Sequence, residues 1–353
     1  MKKNTSLFIG IILFVSLLCS CAATSSVMVK VIKPADISVS GQIKKLGIVD
    51  RSHPDKSSKT LNVIEGIFSG ENMYQDKVTA NEAMAGVITE LAKTERFTIY
   101  QIQGVNLTNS SSNSFSEPLN WEVVKELCAK NNLDALVVLE IFDTNKNISW
   151  STENQSIVKN GITQNQIMHV ANMRTEVVTG WRIYDPINQI VLDQWRISDS
   201  KFSSAKGIST FDAESALPQY SNVVSELARN NGQKYALRIA PVAMMVNRYF
   251  YTGGDPRLQD AQALINAQNY KEAVKVWEDV FRTAEKPKIQ GRAAHNIAVA
   301  YEIDDQLDKA IEWAQKAIGL GSVVSKNYVQ MLQQRKIDDA KAKEQLESVE
   351  EEK

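Results

Sequence analysis

Residues 133–142, Leu-Asp-Ala-Leu-Val-Val-Leu-Glu-Ile-Phe, are the stretch that is most informative about the fold. Nearly continuous Leu, Val and Ile are typical of a β-strand that is covered on both faces. An amphipathic helix over about Pro118 to Lys130 leads into this strand. Earlier, Thr79 opens a helix in which Glu82 completes a capping box, and a strand follows at Phe97 to Gln101. Two successive helix-and-strand units favour an α/β or α+β layer, with a mixed sheet and flanking helices.

We assign this layer to residues 43–217 and expect its first strand at Ile43 to Val49. Two further strands are predicted at roughly Ile167 to Tyr184 and Gln189 to Ile197, and apolar and polar residues alternate along the first of them. Asp185-Pro-Ile-Asn188 is predicted to form the turn between these two strands.

A polar stretch from Arg51 to Asp76 predicts a long loop with little regular structure. Long ordered loops on a rigid scaffold often carry binding residues, whereas a tolerated insertion is the alternative interpretation. The candidate protein-binding residues in this loop are Glu65, Gly66, Gly70 and Glu71.

The C-terminal third is expected to be helical. Residues 218–256 predict a connecting helix from about Pro218 to Phe250, with Pro241 as the position of any kink. Residues 257–335 align with themselves at an offset of 37 residues, which places Ala273 over Ala310. The offset is close to the roughly 34 residues of a tetratricopeptide repeat, in which small residues allow paired helices to pack closely.

We therefore predict an all-α, tetratricopeptide-like domain, with chance similarity between amphipathic helices as the alternative. Repeats of this kind form a groove that binds peptides. The alternative role, which the sequence supports equally, is that the repeats pack against the α/β domain. The candidate protein-binding residues here are Trp277, His295, Asn296 and Trp313. Residues 336–353 form a charged tail, expected to be a solvated helix that frays.

The N-terminus has the order of a secretory signal: Lys2 and Lys3, then an apolar run from Leu7 to Leu18, then small residues. The run is about a dozen residues long, short of the roughly 20 that span a bilayer. Leu18-Cys-Ser-Cys21 resembles the lipobox of bacterial lipoproteins. We predict that residues 1–20 are removed, that Cys21 is lipidated, and that 21–42 contain a tether. An ordinary signal peptide is the alternative.

The composition argues against several functional classes. Lys+Arg 40 against Asp+Glu 41 leaves the chain nearly neutral, without the basic patch of a nucleic-acid binder. None of His53, His169 and His295 shares a ligand-spaced motif with another metal-binding residue, and no phosphate loop or nucleophile elbow is present. We predict a protein without catalytic residues, metal or cofactor. Cys128, on the apolar stripe of a predicted helix, is expected to be a buried structural thiol.

Several stretches along the chain form a recognisable set: Ile64-Glu-Gly66, Gly70-Glu71, Arg238-Ile-Ala-Pro241, Arg248-Tyr-Phe-Tyr251, Tyr270 to Trp277, Ala293 to Ala298 and Ala310 to Ala314. Together they resemble an uncharacterised family of Bacteroidota lipoproteins, and the resemblance covers most of the mature chain. That family has no established activity, so the resemblance implies an envelope lipoprotein and no particular chemistry.

The N-terminal part combines a predicted helix that ends near Arg96-Phe97, the strand Asp134 to Val138 and a hairpin at Trp181 to Asp185. This order is similar to that of the CsgG-like and LpoB-like α/β domains of periplasmic lipoproteins. Such domains act by protein contact in secretion or on cell-wall synthases, which implies a protein-binding role here. Fold alone does not carry function.

Bacteroidota lipoproteins of the cell surface usually carry an acidic run after the lipidated cysteine, whereas this chain has Ala22-Ala-Thr-Ser-Ser26. We therefore expect the protein in the outer membrane, facing the periplasm.

The leading hypothesis is a non-enzymatic scaffold, anchored to the membrane through Cys21, that binds another envelope protein. The alternative is a subunit of a curli-type secretion channel, which needs strands of roughly 9 to 11 residues that cross the bilayer. Thr144 to Gln166 is the contender for that hairpin, although Asn, Gln and Lys interrupt its alternation. An envelope hydrolase is a third hypothesis, for which no residue stands out.

Overall fold

The computed structural model describes residues 24–53, 70–94, 96–110, 113–159 and 161–347. These residues form two compact units. The first, which we call the sheet unit, contains residues 33–242 and 342–347, and the second, the helical unit, contains residues 24–32 and 243–341. The predicted signal segment, residues 1–20, and the predicted lipidation site Cys21 lie outside the described residues. The architecture is mixed α+β, with a sheet and flanking helices followed by a helical C-terminal region.

The sheet unit is built on a five-stranded mixed sheet. Its strands are β2 (Lys45–Asp50), β3 (Thr98–Gln101), β4 (Ala135–Lys159), β5 (Ile162–Asp185) and β6 (Ile190–Gly207). Their order in the sheet is β3-β2-β4-β5-β6. Parallel pairing joins β2 to both β3 and β4, and antiparallel pairing joins β4 to β5 and β5 to β6.

Helices cover both faces of this sheet, as the apolar run at 133–142 predicts. On one face, Val137 and Leu139 share a core with α1 (Gly70–Leu91) and α4 (Tyr220–Ile239). On the other face, Leu136 and Val138 pack with α2 (Trp121–Asn131). A short helix, α3 (Thr210–Ser215), follows β6. The predicted buried central strand is confirmed.

The α1 and α4 helices approach each other closely at glycine. A side chain at Gly232 would collide with the carbonyl oxygen of Ala83, and one at Gly86 would collide with that of Arg229. The contact fixes these two helices against the same face of the sheet.

The predicted start of the first helix is wrong. Thr79 does not open it, because α1 already begins at Gly70, so the capping box with Glu82 does not form the helix terminus. Residues 70–76 of the predicted loop are therefore helical, and residues 54–69 lie outside the description. The helical turns before Thr79 carry mixed polar and apolar residues, which conceals the true start in the sequence.

The second helix and the predicted turn are confirmed. Asn120 caps α2, its side chain accepting a hydrogen bond from the Glu122 amide, and Asn132 ends the helix with φ of 53°. In the turn, an Asp185 carboxylate oxygen accepts hydrogen bonds from the amides of Ile187 and Asn188.

The connecting helix predicted to reach Phe250 is wrong beyond Ile239. The chain passes Pro241 and forms β7 (Val242–Tyr251), which pairs with β1 (Thr24–Lys33) in a separate two-stranded sheet. Ten residues of the predicted tether at 21–42, Thr24 to Lys33, thus form a strand. Pro241 cannot supply the amide that would continue the helix, and β-branched and aromatic residues after it fit a strand.

The helical unit contains α5 (Pro256–Asn266), α6 (Tyr270–Thr283), α7 (Pro287–Ile303), α8 (Leu307–Gly319) and α9 (Val323–Glu347). Successive helices from α5 to α8 pack against each other. The turns before α6 and α8 have matching backbones: Gln268 and Asp305 both have φ of 57°, and both residues lie two positions before a helix. Ala273 and Ala310 are fully buried at equivalent positions, which agrees with the 37-residue offset.

The charged C-terminal stretch is helical as expected up to Glu347, and residues 348–353 lie outside the described residues. It is not simply solvated, because Ala342 and Gln345 are buried along α9. Within the sheet unit, the Gln345 amide accepts a hydrogen bond from the Ala35 amide and donates one to the Ala35 carbonyl. Among the described residues, no helix has both the length and the apolar character needed to cross a bilayer.

Candidate protein-interaction site

The β4–β5 hairpin extends beyond the strands on either side of it. Cross-strand pairing continues to Lys159 opposite Ile162, whereas β6 ends at Gly207 opposite His169. Gly161, at the turn, has φ of +79°, a conformation that glycine adopts readily. The hairpin therefore ends in a two-stranded segment, residues 153–159 and 162–168, which we call the hairpin tip.

One edge of β4 has no partner strand within the described residues. The parallel pairing of β2 with β4 ends at Asp50 opposite Leu139. From Ile141 to Lys159 the main-chain donors and acceptors on that side of β4 lack a strand neighbour in this part of the structure. We call this stretch the open edge. An edge of this kind is a template for the addition of another strand.

Exposed apolar side chains lie along the same hairpin. Trp150, which is 53% exposed, pairs with Ala171, and the Ile167 side chain, opposite Asn154, is 59% exposed. Directly opposed residues share a face, so Trp150 and Ile167 lie on one side of the hairpin. Val158 and Ile162 near the tip are also exposed. Apolar groups next to open main-chain groups are the combination that strand-adding partners use.

The outer strand β6 also presents an edge, but its charged residues are mostly paired. Asp193 binds Arg238, Asp199 binds Lys234 and Lys201 binds Glu226. Charged side chains on an edge strand discourage the addition of another strand. The open edge of β4 also carries charged residues, of which Glu153 is paired with Lys206. We take this edge as the candidate for binding because it belongs to the hairpin that extends past its neighbouring strands.

The root of the hairpin contains a β-bulge with a buried charge. Pairing with β5 shifts between Leu139 and Ile141, which leaves Glu140 as the extra residue. Its side chain is fully buried. Tyr184 donates a 2.5 Å hydrogen bond to the Glu140 carboxylate, and the guanidinium groups of Arg51 and Arg182 lie 3.2 Å and 3.5 Å from it.

This cluster holds a connecting segment against the sheet. Arg51 donates to the carbonyls of Thr108 and Glu117, and Arg182 donates to the carbonyl of Ser116. The Tyr184 hydroxyl accepts a hydrogen bond from the Leu119 amide. The charges are therefore satisfied internally, and the cluster fixes the base from which the hairpin projects.

Burial, followed by the neighbouring Glu140 charge, raises the pKa of the Tyr184 phenol. The tyrosine thus remains protonated near neutral pH and serves as a hydrogen-bond donor. The cluster therefore holds the surrounding segments in place, because the tyrosine hydroxyl and both guanidinium groups already donate to protein acceptors.

A second cluster of the same composition lies in the helical unit. Fully buried Glu302 accepts two hydrogen bonds from Arg248, at 2.8 Å and 2.9 Å, and one of 2.5 Å from Tyr328. Arg335 lies 3.2 Å from the same carboxylate and also binds Asp305. This cluster joins β7, α7 and α9 within the unit.

Three of the four predicted binding residues in the helical unit are buried: Trp277, His295 and Asn296. Asn296 accepts a hydrogen bond from the Tyr251 amide and donates one to the Tyr251 carbonyl. Its side chain thus makes the same pair of hydrogen bonds that a neighbouring strand would make. His295 lies between the Ser325 hydroxyl and the Tyr249 carbonyl oxygen. These contacts attach β7 to the helices, which gives the two residues an internal role.

Trp313 is half-buried and stacks edge-to-face on Phe281, with ring centroids 5.1 Å apart. Of the four binding residues predicted in the helical unit, Trp313 is the one whose side chain is partly exposed. Glu65 and Gly66 lie outside the described residues. Gly70 and Glu71 form the start of α1, and the description does not extend to their side chains.

Three residues of types that occur in catalytic sites lie close together at the end of β2. The carboxylate of Asp50, the last residue of β2, accepts a hydrogen bond from the Ser52 hydroxyl and pairs with His53. Burial raises the pKa of Asp50, but the hydrogen bonds and charge from His53 and Ser52 together lower it below its usual value. The serine thus binds the carboxylate and is not directed at the imidazole as a nucleophile would be.

Cys128 is buried, as predicted, and burial raises the pKa of its thiol to about 12. No group of three metal-ligating side chains occurs in the part of the chain that the structure describes. His169 lies in β5, opposite Thr152 and Gly207.

The structure shows four further residues that hold the base of the hairpin in place: Glu140, Arg51, Arg182 and Tyr184. One signal in the sequence points to the first of them, because Glu140 is an isolated acidic residue near the end of an apolar run. Its partners come from distant segments, and nothing in the local sequence identifies them.

The described residues form two units, and the sheet unit carries the open edge of β4 on its long hairpin. Residues 43–251 match the family described as Domain of unknown function (DUF8603), and the match covers more than half of the chain, so the protein belongs to this family. Residues 259–336 match a second family, Domain of unknown function (DUF6340). No curated protein matches the sequence.

Among solved structures, the chain is similar to the PelC dodecamer from Paraburkholderia phytofirmans, with 9% identity and a TM-score of 0.24, over 62% of this chain and 99% of that chain. It is also similar to a neuraminyllactose-binding hemagglutinin homolog from Helicobacter pylori, with 6% identity and a TM-score of 0.20, over 56% of this chain and 82% of that chain. Structural similarity at this level does not indicate a function.

Proposed function

We propose that this protein is a non-enzymatic lipoprotein of the outer membrane, facing the periplasm, that binds another envelope protein. The observation that carries the proposal is the open edge of β4 on a hairpin that projects past the neighbouring strands. Unpaired main-chain groups supply affinity for an extended segment, and side chains on alternating positions supply specificity.

The open edge favours an extended partner segment with apolar side chains. An added strand on β4 would place its alternate residues beside Trp150 and the other apolar residues of the hairpin. Aromatic residues at the centre of an interface often dominate its energy. The Glu140 cluster supports this role, because it makes the base of the hairpin rigid and reduces the entropy lost on binding.

The anchoring part of the proposal rests on the N-terminal sequence. Leu18-Cys-Ser-Cys21 has the small residues and the cysteine of a lipobox, after a short apolar run. Lipid on Cys21 would supply the two or more acyl chains that stable membrane attachment requires.

We further propose that α5 to α8 form a short tetratricopeptide-like array. The matching turns before α6 and α8, and the buried alanines at equivalent positions, support this interpretation. Trp313 and the surface around it are the proposed contact region of the array.

The experiment compares cross-linked complexes of the membrane-anchored protein with those of a variant of the open edge. Lysines at Ser149 and Ser151, both exposed on β4, should prevent strand addition. The matched control is Ser204→Lys on β6, which is exposed on the same sheet. We expect a partner that is retained by the wild type and by the control and lost from the Ser149→Lys/Ser151→Lys variant. Equal retention in all three would contradict binding through the open edge.

A second candidate function is a subunit of a secretion channel. The observation that favours it is the length of the hairpin, since β4 has 25 residues and β5 has 24, against the roughly 9 to 11 that cross a bilayer as a strand. Polar residues at the tip, including Gln155, Asn165 and Gln166, count against it. A channel subunit would be extracted as a detergent-stable ring, whereas a tethered binding protein becomes a soluble monomer when Cys21 is replaced by Ala.

A further inference from the structure

The two-stranded sheet of the helical unit has one occupied face and one open face. Val27 and Phe250 point into the helical core, where both belong to the cluster around Trp277. The neighbouring positions alternate outward, as expected in strands. Met28, Met245 and Tyr249 are 49%, 54% and 63% exposed.

These outward residues have the chemistry of a lipid interface. Tyrosine and methionine present apolar bodies, and the tyrosine hydroxyl can bind water or headgroups. Lys30, which is exposed two positions after Met28, adds a positive charge that anionic lipid headgroups would attract. These four residues, Met28, Lys30, Met245 and Tyr249, form a small amphipathic group on one face of the sheet.

The proposed anchor restricts where this face can be. Two residues, Ala22 and Ala23, separate Cys21 from the first residue of β1. Three residue steps span at most about 11 Å. A headgroup layer is roughly 5 to 8 Å thick on each side of the hydrocarbon core. The start of β1 is therefore within reach of the headgroups whenever Cys21 carries lipid.

The start of β1 is also packed against the helices. The Gln262 amide donates a hydrogen bond to the Ser25 hydroxyl, and Val27 contributes to the cores on both sides of α7. Since the inner face of the sheet is filled by helices, the outer face is the one that is free to meet the membrane.

We propose that the outer face of the β1–β7 sheet rests on the phospholipid surface and orients the helical unit on the membrane. The inference rests on the lipid anchor of the proposed function and adds a defined contact to it. The occupant of this face is lipid, and the residues in contact are Met28, Lys30, Met245 and Tyr249.

The test uses the full-length lipoprotein reconstituted into vesicles of phosphatidylethanolamine and phosphatidylglycerol. An environment-sensitive fluorophore is attached to Met245→Cys, and in a second preparation to Gln315→Cys, an exposed position on α8. The buried Cys128 thiol, with its raised pKa, labels slowly and does not compete. Flotation of the vesicles is measured on the same samples.

We expect the protein to float with the vesicles, and the label at position 245 to shift to shorter wavelength and to be quenched by brominated lipids. The label at position 315 should remain in water. Flotation with an aqueous signal at position 245 would overturn the inference and leave the anchor intact. Equal shifts at both positions would overturn the proposed orientation. Failure to float would contradict the anchor itself and remove the basis of the contact.

Discussion

The Tyr184 hydroxyl donates a 2.5 Å hydrogen bond to the Glu140 carboxylate, and this contact ties the central strand of the sheet to its antiparallel neighbour at a β-bulge. In the helical unit, Tyr328 makes an equivalent 2.5 Å hydrogen bond to Glu302. In each unit, a buried glutamate is thus held by one tyrosine and two arginines. The two clusters are the best-defined polar features of the described residues.

Replacing Tyr184 by Phe should destabilise the sheet unit, because the buried carboxylate loses a donor while the rest of the ring remains in place. We expect a loss of about 1.5–3 kcal/mol in the free energy of unfolding, measured in urea. Tyr249→Phe is the matched control, since Tyr249 is exposed, and it should change stability by less than about 0.5 kcal/mol. Equal effects would show that the Glu140 contact contributes nothing.

Replacing Glu140 by Ala should have a larger effect, because Arg51 and Arg182 would lose their shared buried counter-charge. Removal of one member of such a group costs about 3–5 kcal/mol. The control Glu272→Ala removes an exposed ion pair with Lys275, for which we expect at most about 1 kcal/mol. Calorimetry distinguishes the two outcomes, and a small effect at Glu140 would contradict a structural role for the cluster.

Replacing Asn296 by Ala should loosen the attachment of β7 to the helices. The amide and the carbonyl of Tyr251 would both lose their side-chain partner, at a cost of about 2–4 kcal/mol if neither finds another. Hydrogen exchange at the Tyr251 amide should accelerate strongly. If the amide stays protected in Asn296→Ala, then Asn296 is not the group that holds this strand.

Burial lowers the pKa of the His295 imidazole below 6.5. The folded chain therefore binds a proton at His295 less readily than the unfolded chain, so this residue contributes stability above pH 6.5 that is lost as the pH falls towards the folded-state pKa. We expect a slope of at most about 1.4 kcal/mol per pH unit in that window. His295→Gln should flatten the dependence below pH 6.5. An unchanged slope would assign it to other groups.

Local patterns in the sequence were sufficient to predict the centre of the sheet. The apolar run at 133–142 predicts β4 between two layers, and the Asn120 and Asn132 caps are consistent with the helix before it. These elements were predictable because their apolar periodicity lies within one short window.

The β1–β7 sheet was missed because pairing between distant strands decides it. Met244 and Met245 favour helix as readily as strand, and the alternation of Val27, Val29 and Val31 is short. Pairing with a strand more than 200 residues away in the chain settles both segments, and no local pattern reveals such a contact. The arginines around Glu140 were missed for the same reason.

The central claim is that the open edge of β4 binds an envelope protein, and a photo-reactive residue at position 151 in growing cells tests it most directly. We expect Ser151 to yield a discrete adduct in the membrane fraction, and a probe at Ser204 on β6 to yield none of that size. Adducts that are identical at both positions, or no adduct at Ser151 when the protein is anchored and folded, would contradict the claim.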